Sequence, residues 1–113
     1  MNLKILFSDA KSQTFFQDPK KVTQKHGAQT EKKLRRRLDD LDAAYSLEDL
    51  RGAPGSWEEL TAERRGQFSA RLHGAMRLVF RPEKHPPPTK PDGGLDWRAI
   101  DSVIILEIVD YHP

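Results

Sequence analysis

The C-terminal stretch of the chain, residues 101–113, limits the fold more than any other segment. Residues 103–106 are consecutive, apolar and mostly β-branched, which predicts a strand covered on both faces. The two-residue period of a strand would place Asp110 and His112 on one face and Tyr111 on the other. Three groups suited to acid–base chemistry thus stand at the end of the best-buried strand. The alternative is an exposed chain terminus without a function.

The composition suits one small domain with a modest core. The 113 residues are 36% hydrophobic and 32% charged, which is enough for a single domain. No apolar run approaches the roughly 20 residues of a membrane span, and the start of the chain is expected to be a strand and not a signal peptide. The absence of cysteine excludes disulfides and thiolate metal sites, and we expect a cytoplasmic protein.

Charge is strongly segregated along the chain although the net charge is only +2. Residues 20–37 hold eight Lys/Arg and one acid, residues 38–63 hold eight acids and one arginine, and residues 64–81 hold five arginines and no acid. A basic segment is usually a solvated face. Two basic segments that flank an acidic one also suit a chain that meets a polyanion or an acidic partner.

The first half of the chain predicts a strand followed by two helices. Residues 3–7 form the strand, and Asp9 is placed to cap a helix that Pro19 ends. The second helix is expected to start near residues 28–31, as Gly27 and Thr30 indicate. Apolar residues at spacings of four, three and four form one stripe on it: Leu34, Leu38, Leu41 and Tyr45. The remaining surface of this helix is expected to be basic, with Lys32, Lys33, Arg35, Arg36 and Arg37. A short turn is expected at residues 46–49.

The second half of the chain predicts a β-hairpin, a long loop and the terminal strand. Apolar residues alternate with polar ones on both sides of Gly74, which allows the reversal, and Trp57 and Leu60 are expected to hold the preceding loop on the core. Three arginines would leave the other face of the hairpin: Arg71, Arg77 and Arg81. The Pro- and Gly-rich residues 83–97 form a mobile flap, a partner-binding arm or a solvated excursion. We therefore predict an α+β fold, a small antiparallel sheet with two N-terminal helices on one face.

The residue types point weakly to phosphodiester chemistry on RNA. The four histidines are scattered, with no metal-ligand spacing, and no phosphate-binding glycine loop is present, so we expect no metal and no cofactor. Cleavage of RNA can use the 2′-hydroxyl as nucleophile, and the protein then supplies a base, an acid and fixed positive charge. Histidine and arginine are suited to these tasks. An ordinary solvated sheet face remains the alternative.

Several segments, in their order along the chain, resemble the HigB branch of the RelE/ParE toxin superfamily. They are residues 33–44, residues 46–50, Leu60 with residues 64–69, residues 74–80, and the ending Asp110-Tyr111-His112. The resemblance covers the whole chain except residues 83–97. It implies a toxin of a type II toxin–antitoxin system, a ribosome-dependent mRNA endonuclease (mRNA interferase). The toxin would be a monomer when free and would form a hetero-oligomer with a HigA-type helix-turn-helix antitoxin.

The resemblance also implies roles for particular residues. Arg77 matches an arginine that binds the scissile phosphate, and Asp110, Tyr111 and His112 match the terminal catalytic residues, with His112 the acid or base. RNA and rRNA contacts are expected from the basic residues Arg64, Arg65, Arg71, Arg81, Lys32, Lys33 and Arg36. The chain departs from the family at residues 58–62, where a histidine and a lysine are often found, so Arg64, Arg65 or Arg71 would have to supply the missing charge.

Two other readings stay open from the sequence. One is a non-nuclease protein of the same fold, either a ParE-like inhibitor of DNA gyrase or a decayed toxin that retains only antitoxin binding. The other is a basic scaffold protein of unassigned role. The departure at residues 58–62 favours the non-nuclease protein of the same fold, and the intact ending at His112 favours the nuclease.

Overall fold

The computed structural model describes residues 2–110, which form an α+β fold, as predicted. The elements are β1 (Lys4–Phe7), α1 (Ala10–Phe16), α2 (Pro19–His26), α3 (Ala28–Ala43), β2 (Glu58–Glu59), β3 (Phe68–Arg71), β4 (Met76–Pro82) and β5 (Ser102–Asp110). Short 3₁₀ turns occupy Leu47–Leu50, Ala62–Arg64 and Trp97–Ala99. No helix in this part of the chain is long and apolar enough to cross a membrane.

The five strands form one mixed sheet in the order β1-β5-β4-β3-β2. β1 runs parallel to β5, and every other neighbouring pair is antiparallel. The sheet therefore differs from the predicted antiparallel one by its parallel edge and by β2, a two-residue strand too short to show a sequence period. The terminal strand lies inside the sheet, as predicted, with Val103 and Ile105 fully buried and Ile104 and Leu106 half-buried.

The N-terminal region holds three helices where two were predicted. Asp9 caps α1 as expected, because its carboxylate accepts a hydrogen bond from the Ser12 N–H at 2.7 Å. Pro19 ends α1 but also opens α2, with Asp18 as the cap that accepts from the Lys20 N–H. Proline fits the first turn of a helix, where its missing N–H leaves no bond unmade. Pro19 thus prevents α1 from continuing and is also the first residue of α2.

α3 confirms the predicted stripe at Leu34 and Leu41, which are fully buried, but corrects it at Tyr45. The helix ends at Ala43, Ala44 has extended backbone, and Tyr45 lies beyond the helix with its side chain 64% exposed. The short turn after it is confirmed at Leu47–Leu50. Its cap differs, since the Asp49 carboxylate accepts from the Tyr45 N–H and the Ser46 side chain makes no capping bond.

The predicted basic surface of α3 also needs a correction at Arg37, which is buried with 7% exposure. Its guanidinium Nε donates to the Arg71 carbonyl at 2.9 Å, and its Nη1 lies 3.2 Å from Asp40 Oδ2. Gly55, with a φ of +124°, makes this packing possible, because a Cβ there would lie 2.9 Å from the Arg37 Nε. Arg37 is therefore a structural link between α3 and the end of β3.

One core joins the helices to a single face of the sheet. Leu34 and Leu41 of α3 share a buried cluster with Phe68, Leu78 and Phe80 of the hairpin. Trp57 joins this cluster and Leu60 is buried, as the sequence predicted. The opposite face of β3, β4 and β5 is consequently the face that does not carry α3.

Residues 83–97, which we call the arm, are anchored to the rest of the fold at their C-terminal end. Thr89 pairs with Leu95 in an isolated bridge, and Leu95 and Trp97 are buried. The Trp97 indole N–H donates to Glu59 Oε1 at 3.0 Å, and the Arg51 guanidinium lies 4.0 Å from the centre of the Trp97 indole. These contacts hold the C-terminal end of the arm beside β2, whereas residues 83–86 and 89–93 are exposed.

Candidate nucleic-acid interface

The hairpin register places three arginines on the sheet face that points away from α3. Arg71 of β3 lies opposite Arg77 of β4, and Arg77 lies opposite Val109 of β5. Directly opposed residues share a face, and Arg81 shares it because it follows Arg77 by four residues. We call the surface with Arg71, Arg77 and Arg81 the arginine face. The predicted common face of these residues agrees with the register.

Arg71 and Arg77 are cross-strand partners, so two positively charged residues occupy directly opposed positions of the hairpin. Among the residues that the structure describes, the Arg77 guanidinium donates to the backbone carbonyls of Gly74 at 3.2 Å and Met76 at 3.1 Å. Arg71 is exposed, and neither arginine forms an ion pair with a carboxylate within residues 2–110. Like charges directly opposite each other destabilise a sheet. A bound phosphate would offset this repulsion and use both planar guanidinium groups.

The end of β3 is held from two sides, which fixes the position of Arg71. Its N–H donates to the Gly55 carbonyl at 2.6 Å, and its carbonyl accepts from Arg37. Both hydrogen bonds involve the Arg71 backbone. The Arg71 side chain takes no part in them and lies on the arginine face. The sequence could not show this role of Arg37, because it depends on a contact between residues 34 positions apart.

Arg64 reaches across the arginine face to an acid that sequence analysis missed. Its Nη1 lies 3.1 Å from Glu107 Oε2 on β5 and 3.3 Å from Gln67 Oε1. Ser69, Val79 and Glu107 form one row across β3, β4 and β5. Ser69 and Val79 are both fully buried. Within the described chain, the Ser69 hydroxyl has no hydrogen-bond partner. The available signal for Glu107 was a lone acid between apolar residues of a strand.

Arg65 and Arg81 line a cleft of about 640 Å³ between the arm and residues 60–67. The Arg81 Nη1 donates to the Pro82 carbonyl at 3.1 Å, and Arg65 is exposed. The arm contributes two further basic side chains, Lys84 and His85, which were not among the predicted site residues. They fall in the segment outside the family resemblance, so the resemblance could not assign them.

The other predicted site residues are not brought to the arginine face. Asp110 lies opposite Met76, so its side chain shares the Met76 face and not the Arg77 face. Three predicted RNA contacts are exposed on α3, across the sheet from Arg77: Lys32, Lys33 and Arg36. Tyr111 and His112 lie outside the described residues, and their catalytic roles stay predictions.

Among the described residues, His26 is the titratable group whose pKa is shifted most clearly by its environment. It lies in a separate cleft between α1, α2 and β5, with its ring 6.1 Å from that of Phe15. Burial of the imidazole and the neighbouring Lys25 ammonium lower the pKa of His26 below its usual 6.5. Among residues 2–110, no three acidic or histidine side chains are gathered to hold a metal ion.

The fold and this surface define a small α+β domain whose open sheet face carries paired arginines. Residues 5–85 match the family of HigB-like toxins, described as the RelE-like toxin of the type II toxin–antitoxin system HigB. The match spans β1 to the start of the arm, which is well over half of the chain, and the protein belongs to this family. A comparison with curated proteins finds no match. The matched segment includes Arg71, Arg77 and Arg81 and ends before β5.

Proposed function

We propose that this toxin is an mRNA interferase, a metal-independent endoribonuclease that cleaves mRNA on the ribosome. One observation carries the proposal: Arg71 and Arg77 oppose each other on the sheet face that points away from α3, without a carboxylate between them in the described chain. This arrangement suits a phosphate that gathers negative charge during cleavage. Because Arg64 is engaged by Glu107, Arg71 or Arg65 would substitute for the cations missing at residues 58–62.

The reaction needs no covalent bond to the protein. The 2′-oxygen of the RNA loses its proton to a base and attacks the adjacent phosphorus, the bond to the 5′-oxygen breaks, and an acid protonates that oxygen. The products are a 2′,3′-cyclic phosphate and a 5′-hydroxyl. Arg71 and Arg77 would stabilise the phosphate, and the terminal residues Tyr111 and His112 would move the protons, with His112 the leading candidate.

The first test is primer extension on cellular mRNA after brief induction of the toxin. We expect cuts within translated regions for the wild type, and none for Arg77→Ala or His112→Ala. The matched control is Arg98→Ala, which removes an exposed arginine from the turn Trp97–Ala99 and should leave the cuts unchanged. Growth arrest without cuts would favour the gyrase-inhibitor reading, which plasmid supercoiling would then test. Cuts that persist in both variants would show that the assigned residues are wrong.

A type II toxin implies an antitoxin, and we propose a HigA-type helix-turn-helix protein encoded beside the toxin. An acidic or apolar segment of such a partner would complement the arginine face and neutralise the toxin. Co-expression followed by purification should yield a stable complex that no longer binds RNA. Failure of the two chains to co-purify would contradict this part of the proposal without affecting the nuclease assignment.

A further inference from the structure

We propose that the cleft between the arm and residues 60–67 binds an unpaired nucleotide of the RNA, next to the phosphate on the arginine face. The inference rests on the proposed function and adds a second binding site to it. The cleft has a volume of about 640 Å³, within the range of small-ligand sites. Its wall combines basic, polar and apolar side chains: Thr61, Arg65, Arg81, Lys84, His85 and Leu95.

The charge of the cleft suits a phosphodiester strand. Lys84 has only a long contact, 3.9 Å, with Asp101, and both side chains are more than half exposed, so this pair holds the ammonium weakly. The acid in the wall, Glu59, already accepts the Trp97 indole N–H through its Oε1. Arg65 forms no ion pair within the described residues. Positive charge therefore dominates the cleft.

The remaining wall suits a nucleobase. Leu60 and Leu95 are buried beneath the cleft and give it an apolar floor, and Pro87 continues this apolar surface. Unpaired bases stack on histidine rings and on guanidinium planes, and His85 and Arg81 offer both kinds of surface here. A ligand with one flat ring and one phosphate matches this combination of groups.

The position of Arg81 connects the cleft to the arginine face. Arg81 lies in the wall of the cleft and also shares the outward side of β4 with Arg77. Four residues of a strand span roughly 13 Å, so the two arginines are about that far apart along β4. One RNA strand can thus place a phosphate at Arg77 and a neighbouring nucleotide in the cleft. The arm, which the family match does not include beyond residue 85, would then be part of the substrate site.

The test compares Lys84→Gln with Lys90→Gln in the full-length protein. Lys90 belongs to the same arm and carries the same charge, but it borders a different cleft and lies 3.8 Å from Asp92. The probe is an eight-nucleotide single-stranded RNA with 2′-deoxy substitutions that prevent cleavage. Loss of one phosphate contact should reduce the slope of log affinity against log salt by about 0.7 for Lys84→Gln, and Lys90→Gln should keep the wild-type slope.

A second measurement locates the base directly. A 4-thiouridine placed next to the scissile position should cross-link, on irradiation, to residues 83–95 or 60–67. Equal slopes for the two lysine variants, or cross-links confined to β4 and β5, would overturn the cleft proposal while mRNA cleavage by the wild type stands. Loss of antitoxin binding in Lys84→Gln with an unchanged RNA slope would overturn it in favour of a protein-binding cleft. A wild type that neither binds nor cuts RNA would remove both proposals.

Discussion

Arg71 and Arg77 show how a pair of residues can carry information that neither residue carries alone. An arginine on a sheet face is ordinary, since its long side chain is readily solvated. Two arginines directly opposite each other cost stability, so their opposition is more informative than their number. Arg64 differs from this pair. Glu107 forms an ion pair with Arg64, whereas among the described residues no carboxylate pairs with Arg71 or Arg77.

His26 gives a prediction about pH at the same scale. Its pKa is lowered in the folded protein, by burial and then by Lys25, so the unfolded chain takes up a proton first as the pH falls. The contribution of neutral His26 to the free energy of unfolding is therefore complete above about pH 6.5 and is lost as the pH falls through the folded pKa. Denaturant unfolding at pH 7.5 and pH 5 should show a smaller decline for His26→Gln than for the wild type.

Lys25→Gln provides the matching control for that experiment. It removes the nearby ammonium but keeps the burial of the imidazole, so it should reduce the decline only in part. An NMR titration of the His26 ring is the direct measurement. A midpoint at or above 6.5 would contradict the assigned environment.

At the scale of elements, Arg37 is the residue that ties α3 to the hairpin. Arg37→Ala removes the hydrogen bond to the Arg71 carbonyl and the contact with Asp40, and it leaves a gap beside Gly55. We expect a loss of about 1–3 kcal/mol in the free energy of unfolding. Arg36→Ala changes the neighbouring exposed arginine and should stay within about 0.5 kcal/mol of the wild type. Equal effects in chemical denaturation would contradict the structural role of Arg37.

The elements that sequence analysis predicted correctly are those specified by local patterns. Alternation around Gly74 gave the hairpin, the Asp9 cap gave α1, and the apolar run of residues 103–106 gave the buried strand. Tyr45 fitted the helical period but lies past the last turn, because a four-residue spacing says nothing about where a helix stops. α2 was missed because Pro19 was interpreted only as a break.

The remaining differences depend on contacts between distant residues. The parallel pairing of β1 with β5 joins strands from the two ends of the chain, and no local period encodes it. The burial of Arg37 depends on Gly55 and Arg71. The position of the arm depends on the hydrogen bond from Trp97 to Glu59. For the candidate site, alternation predicted the common face of Arg71 and Arg77, whereas the exact cross-strand pair, the Glu107 contact and the cleft required the three-dimensional structure.

At the scale of the whole molecule, positive charge occupies two surfaces that the sheet separates. Arg71 and Arg77 lie on the face of the sheet that points away from α3. Lys32, Lys33 and Arg36 are exposed on α3, which lies across the core on the other side of the sheet. A short RNA can bind only one of these surfaces at a time. Under the proposed function, a ribosome would present phosphates over a much larger area and could contact both surfaces.

This separation predicts different losses for two charge-removing variants. Lys32→Gln/Lys33→Gln/Arg36→Gln should keep its affinity for an eight-nucleotide RNA within about two-fold, because those residues lie across the sheet from the arginine face. Its co-sedimentation with ribosomes should become weaker and less dependent on salt. Arg71→Gln/Arg77→Gln should lose affinity for the short RNA as well. If the triple variant instead lost short-RNA binding to the same degree, α3 would belong to the substrate site and the assignment of the arginine face would have to be abandoned.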